Sequence, residues 1–186
     1  MTVQPDVVVV SGHMVDKPDR PQPRFPPEQV PRVAAEVREA LADWSVGAGT
    51  TLVTGGARGA DIIAAEEAHA RGASLRLVLA REPEEFVARS VAIPGTDWEQ
   101  RFRALLPRAD VEVVHGPDDD TVYARANRRI IEVARELGSR PHAVIVWNGK
   151  EGDGPGGTRD FVSQLGQDLE DESVAVIDPS PRHDSS

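Results

Sequence analysis

The 186-residue sequence contains no cysteine, which removes both a disulfide framework and a thiolate metal site. Lysine is almost absent: Lys17 and Lys150 are the two, so arginine supplies the positive charge of a chain whose net charge is −10. A nucleic-acid groove needs clustered lysine and arginine opposite the phosphates, and the acidic balance argues against one. A local arginine can still fork onto a single phosphate. Apolar runs such as Val7 to Val10 are far too short to cross a bilayer. The N-terminus lacks the basic, apolar, cleavage-site order of a signal peptide, so a cytoplasmic protein without membrane contact is expected. No internal repeat is visible.

What is present is an alternation of β-branched runs and amphipathic stretches. Strands are expected at 6–11, 51–54, 74–79, 111–114, 143–147 and 174–177, the first β-branched throughout as a central parallel strand should be. Helices are expected at 28–44, 59–71, 82–92, 97–106 with Asp97 as N-cap, 121–137, and from 156 or 157 to 169. On the fifth of these, Val122, Ala126, Ile130, Val133 and Leu137 form the buried stripe. Residues 14–27 carry five prolines together with Asp16, Arg20 and Arg24. A structureless stretch of that length is functional or mobile, so it reads either as a lid over a site or as a polar surface loop. The order βαβαβ predicts a single three-layer α/β domain over residues 1–178, with a mostly parallel sheet of about six strands and right-handed crossovers. Residues 179–186 read as a polar, frayed tail.

The chain is organised around TTLVTGGARGADIIAAEEAHARG at 50–72, a strand, a glycine turn and a helix. In a parallel sheet such a turn lies at the carboxyl end of a strand, where ligands bind. Gly55, Gly56 and Gly59 let backbone approach a ligand, and Arg58 can fork onto a phosphate. Asp61, at the helix start, either accepts ribose hydroxyls or interacts with the helix dipole. A second glycine turn, Gly154-Pro155-Gly156-Gly157-Thr158 with Arg159 and Asp160 behind it, follows the fifth strand and offers N–H groups and a hydroxyl as a phosphate cradle. Ser11, Gly12 and His13 end the first strand, with His13 as a donor or an acid–base group. Tyr123 and Asn127 lie one helical turn apart and make either a ligand contact or a surface hydrogen bond. Asp118 to Asp120 suit helix capping rather than a metal, and no metal-ligand spacing is present. The sequence has no Gly-x-Gly-x-x-Gly fingerprint and no phosphate-loop lysine. VTGGARGAD is comparable to the short-chain dehydrogenase turn, but Asp61 replaces its last glycine, and Tyr123 is followed four residues on by Asn127 instead of lysine.

GGARGADIIAAEEAHARG, followed by WNGKEGDGPGGTRDFV, resembles the SLOG superfamily, as do the opening VVVVSGHMVDKPDRPQPRFPP and the later EEFVARSV and DWEQRF. These are Rossmann-like domains related to the LOG phosphoribohydrolases and to the DNA-processing protein DprA, some of them attached to bacterial signalling and defence effectors. The resemblance covers residues 7–177. It implies binding of a nucleotide or nucleotide-derived ligand at the carboxyl ends of the strands, as a sensor or carrier, without a resident cofactor. It departs from the LOG enzymes where their turn reads Pro-Gly-Gly-x-Gly-Thr followed by glutamates; here Asp160 is the only acid in that place. Hydrolysis of the N-glycosidic bond of nucleoside monophosphates, with Asp160 or His13 as the catalytic group, is therefore the alternative, and a ligand-free docking protein the third reading. Related phosphoribohydrolases are dimers, which carries a homodimer over as an expectation.

Overall fold

The computed structural model describes residues 3–151 and 156–182. Six strands, β1 (Val7–Gly12), β2 (Thr51–Thr54), β3 (Ser74–Leu79), β4 (Ala109–Val113), β5 (His142–Val146) and β6 (Val174–Ile177), form one sheet in the order β4-β3-β2-β1-β5-β6. Every neighbouring pair is parallel. Val7 to Val10 are sealed from solvent, because β1 lies at the centre of the sheet with helices over both faces.

Helices α1 (Val30–Asp43) and α2 (Ala60–Ala70) pack on each other over one face. With them lie α3 (Pro83–Phe86), continued by a π-helical turn at Val87–Val91, and α4 (Trp98–Leu105). Helices α5 (Val122–Leu137) and α6 (Thr158–Leu165) cover the other face through Ile130, Ile131, Val133, Phe161 and Leu165. The change of face has a topological cause. From β1 the chain adds strands in one direction as far as β4. It then returns across the sheet to place β5 on the other side of β1, and a crossover of constant hand must pass over the opposite face. The architecture is the expected three-layer α/β domain, and its strand order makes it Rossmann-like. At the outer edge, Asp110 and Glu112 of β4 pair with Arg76, and Glu112 also with Arg129, keeping the free edge charged.

Four local expectations change. The last helix stops at Leu165, not 169, because Gly166 takes a left-handed φ of +65° and returns its N–H to Val162. Asp97 precedes α4, but its side chain makes no capping bond. Leu137, at the end of the α5 stripe, is exposed. Residues 178–182 are laid along α1: Arg32 donates to the Asp178 and Ser180 carbonyls, and Arg182 pairs with Glu36.

The proline-rich stretch after β1 also differs from a free lid. Asp16 accepts the Arg24 and Phe25 N–H groups on one carboxylate oxygen, at 2.8 and 2.9 Å, while the Asp16 N–H donates to the Phe25 carbonyl at 2.8 Å. Val15 and Phe25 are buried in the core under α1. The loop is thus closed at its neck, and only its tip projects.

Candidate functional site

The order of strand addition reverses between β1 and β5, and the loops leaving those two parallel strands part from each other there. A crevice of about 300 Å³ opens at this place, at the carboxyl ends of β1, β2 and β3. Parallel α/β sheets bind ligands at such a switch point, and the volume lies at the lower end of small-molecule sites. Its polar side is formed by Ser11, Gly12 and His13 after β1, Gly55 and Asp61 around the first glycine turn, and Gly156, Gly157 and Thr158 at the start of α6. Val78, Ala80, Phe86, Ala126 and Ile130 make an apolar wall, and Arg24 and Arg89 stand among the lining groups.

Most of the glycines permit close packing rather than reach into this space. A Cβ on Gly12 would lie 2.6 Å from the Val146 carbonyl and 2.7 Å from the Ala60 Cβ, so β1, β5 and α2 meet only because that atom is missing. Gly59, with φ of +98°, stands where a Cβ would come within 2.8 Å of the His13 carbonyl and the Val15 nitrogen. Gly56 faces Phe102 and does not line the crevice, although the sequence grouped it with the site. Gly156 abuts the first turn of α5, a Cβ there lying 2.4 Å from that of Tyr123. Gly154 and Pro155 lie outside the described residues.

Asp61 turns back onto the first glycine turn. Its Oδ2 accepts the Ala57 N–H at 3.1 Å, so the chain's own carboxyl group occupies that N–H of the turn. Burial pushes this carboxyl up to about 7, against hydrogen bonds from Ala57, Thr54 and Gly56 that pull it down. The helix-dipole and ribose readings are therefore joined by a third property: a carboxyl at the crevice floor that holds its proton near neutral pH. Arg58 lies apart from the crevice. Its Nε donates to the Val15 carbonyl at 2.9 Å and its N–H to Ser90, beneath the loop after β1.

His13 is buried, and its Nε2 lies 3.0 Å from the Asn148 Oδ1. That oxygen also accepts the Lys150 N–H at 3.1 Å. It is therefore an acceptor, and Nε2 carries the imidazole proton. Burial lowers the His13 pKa, which favours the neutral ring, with its proton on Nε2 and an acceptor at Nδ1. Asn127 makes no surface hydrogen bond: its Nδ2 reaches the Gly156 and Gly157 carbonyls and Asp160. Asp160 is also taken by Gln164 at 2.7 Å and does not line the crevice. Arg159 pairs with Glu151. Thr158 is buried at the start of α6 and lines the crevice.

Phe86, Arg89 and Ser90 were not expected. Phe86 ends α3, and Arg89 and Ser90 come from the π-helical turn that follows, whose Ser90 hydroxyl lies 3.2 Å from the Tyr123 hydroxyl. Nothing local in EEFVARSV distinguishes those side chains from an ordinary surface helix; their role follows from where the turn is docked. Among the described residues, no cluster of histidine and acidic side chains could hold a metal ion, and no helix is long and apolar enough to cross a membrane.

These features define a Rossmann-like α/β domain with a crevice at its topological switch point. A search of solved structures finds similarity to the X-ray structure of DNA processing protein A (DprA) from Streptococcus pneumoniae, at 16% sequence identity and a TM-score of 0.45, over 94% of this chain and 59% of that chain. This chain thus spans less than two thirds of that protein's length. A scan against models of known protein families returns no match, and no curated protein matches.

Proposed function

We propose that the crevice binds a nucleotide or nucleotide-derived small molecule and that the protein acts as its sensor or carrier. One observation carries this reading: the ends of β1, β2 and β3 and the second glycine turn converge on a single space with one apolar wall and one polar side. A flat base suits the wall formed by Val78, Phe86 and Ile130. Sugar hydroxyls suit Ser11 and Asp61, and a phosphate suits Gly157 and Thr158. The SLOG resemblance supports the same ligand class. The test is a thermal-shift screen with nucleosides, nucleotides and cyclic nucleotides, since a ligand that binds only the folded chain raises the melting temperature. The parent should be stabilised by at least one of them, and Ser11→Leu, which fills the crevice, should abolish the shift. No shift with any of them would leave a docking protein.

A hydrolytic reading is favoured by a different residue from the two expected, Asp160 and His13. Asp160 is tied up by Asn127 and Gln164, but Asp61 offers a carboxyl pushed up to about 7 at the crevice floor, suited to general acid–base work at neutral pH. Release of free base from nucleoside monophosphates, lost in Asp61→Asn and kept in Asp160→Asn, would establish it.

A further inference from the structure

The loop after β1 borders a second hollow beside the crevice, of about 600 Å³, lined by residues 14–21 and Arg24 together with Arg58 and Arg89. The two hollows share Met14, Arg24 and Arg89, so one molecule can extend from the first into the second. Five cationic side chains line it: Lys17, Arg20, Arg24, Arg58 and Arg89. Two carboxylates, Asp16 and Asp19, also line it, and Arg89 is paired with Glu85 at 3.0 Å. Asp16 is already committed, one oxygen to the Arg24 and Phe25 N–H groups and the other lying 3.5 Å from Arg20.

Arg58 is the decisive group. It is 4% exposed, its Nε is held by the Val15 carbonyl, and its Nη1 is buried without a hydrogen-bond partner among the described residues. A buried guanidinium N–H left unpaired is costly, and burial lowers the Arg58 pKa accordingly. An oxyanion at Nη1 would satisfy both the bond and the charge, and phosphate matches the geometry of guanidinium. The first glycine turn is a poor alternative for that phosphate, because the Asp61 carboxylate already accepts the Ala57 N–H there.

We infer that the second hollow is a phosphate subsite, and that the ligand of the crevice is a nucleotide with a chain of two or more phosphates that passes Met14 and ends on Arg58. The ligand class rests on the reading of the crevice as a nucleotide site; the subsite does not.

The test is calorimetric titration of the full chain with a nucleoside, its mono-, di- and triphosphate, and pyrophosphate alone. The diphosphate should bind about tenfold or more tightly than the monophosphate, one step of roughly 1.4 kcal/mol. Pyrophosphate alone should bind weakly and be lost at high salt. Lys17→Gln combined with Arg20→Gln should remove the advantage of the diphosphate while nucleoside affinity stays. Arg58→Met should do the same, and the double variant carries the test if Arg58→Met does not fold. Equal affinity for mono- and diphosphate, or no response in the double variant, overturns the subsite and leaves the crevice reading intact. Pyrophosphate binding that responds to the variants, with no affinity for nucleoside or nucleotide, keeps the subsite and overturns the crevice reading and the ligand class with it.

Discussion

The Asn127 side-chain amide donates to the Asp160 carboxylate at 3.1 Å, and the same Nδ2 reaches the Gly156 and Gly157 carbonyls at 3.0 and 3.3 Å. One amide on α5 thereby fixes the second glycine turn and the first turn of α6 against the crevice wall. Asp160, with Gln164 on the same oxygen, serves as a strut in this arrangement.

That arrangement predicts a loss of about 1–3 kcal/mol in unfolding free energy for Asn127→Ala, the cost of leaving buried acceptors without their donor. Asn127→Asp should cost more at pH 7, because it sets a second carboxylate against Asp160 and two carbonyls, and the extra cost should shrink once the pH falls low enough to protonate carboxylates. Urea denaturation at pH 7 and at pH 3.5 checks both. An Asn127→Ala variant as stable as its parent would remove the strut.

The loop after β1 should split into two dynamic classes. The Asp16 and Phe25 N–H groups are bonded across the neck, and Phe25 is wholly buried, so both amides should resist hydrogen exchange while those of residues 17–22 exchange much faster. Phe25→Ala should cost about 3–5 kcal/mol, as large aromatic truncations in cores do. Uniform fast exchange from 14 to 27 would instead restore a lid moving as a whole.

Asp61 makes stability depend on pH in a definite direction. Its carboxyl is raised from 3.8 in the unfolded chain to about 7 in the fold. Between those values the folded state keeps a proton that the unfolded state has released. Its contribution to stability is complete below pH 3.8 and is lost as the pH rises through about 7. Asp61→Asn retains an acceptor for the Ala57 N–H and has no proton to lose. Its stability relative to the parent should therefore improve by at most about 1.4 kcal/mol per pH unit across that window and then level off. Denaturation midpoints of both proteins from pH 4 to 8 measure this; a difference independent of pH would mean the carboxyl is not held protonated.

Periodicity and punctuation in the sequence determined the six strands, the helices between them and the parallel, layered class, because alternating β-branched runs and 3.6-residue stripes are local properties. They also marked Ser11, Gly55, Gly157 and Thr158, which do line the crevice, since βα turns gather at one end of a parallel sheet. What each glycine is for was decided only by the fold: Gly12 and Gly59 are required by backbones that approach from distant parts of the chain. The same holds for Arg58, which reads as a phosphate ligand of its own turn yet passes beneath the loop after β1 to bond Val15. It holds too for His13, whose proton is placed by Asn148, 135 residues away. Burial, tautomer and charge state depend on neighbours that only the tertiary structure brings together, and so does the shift that makes Asp61 an acid near neutrality.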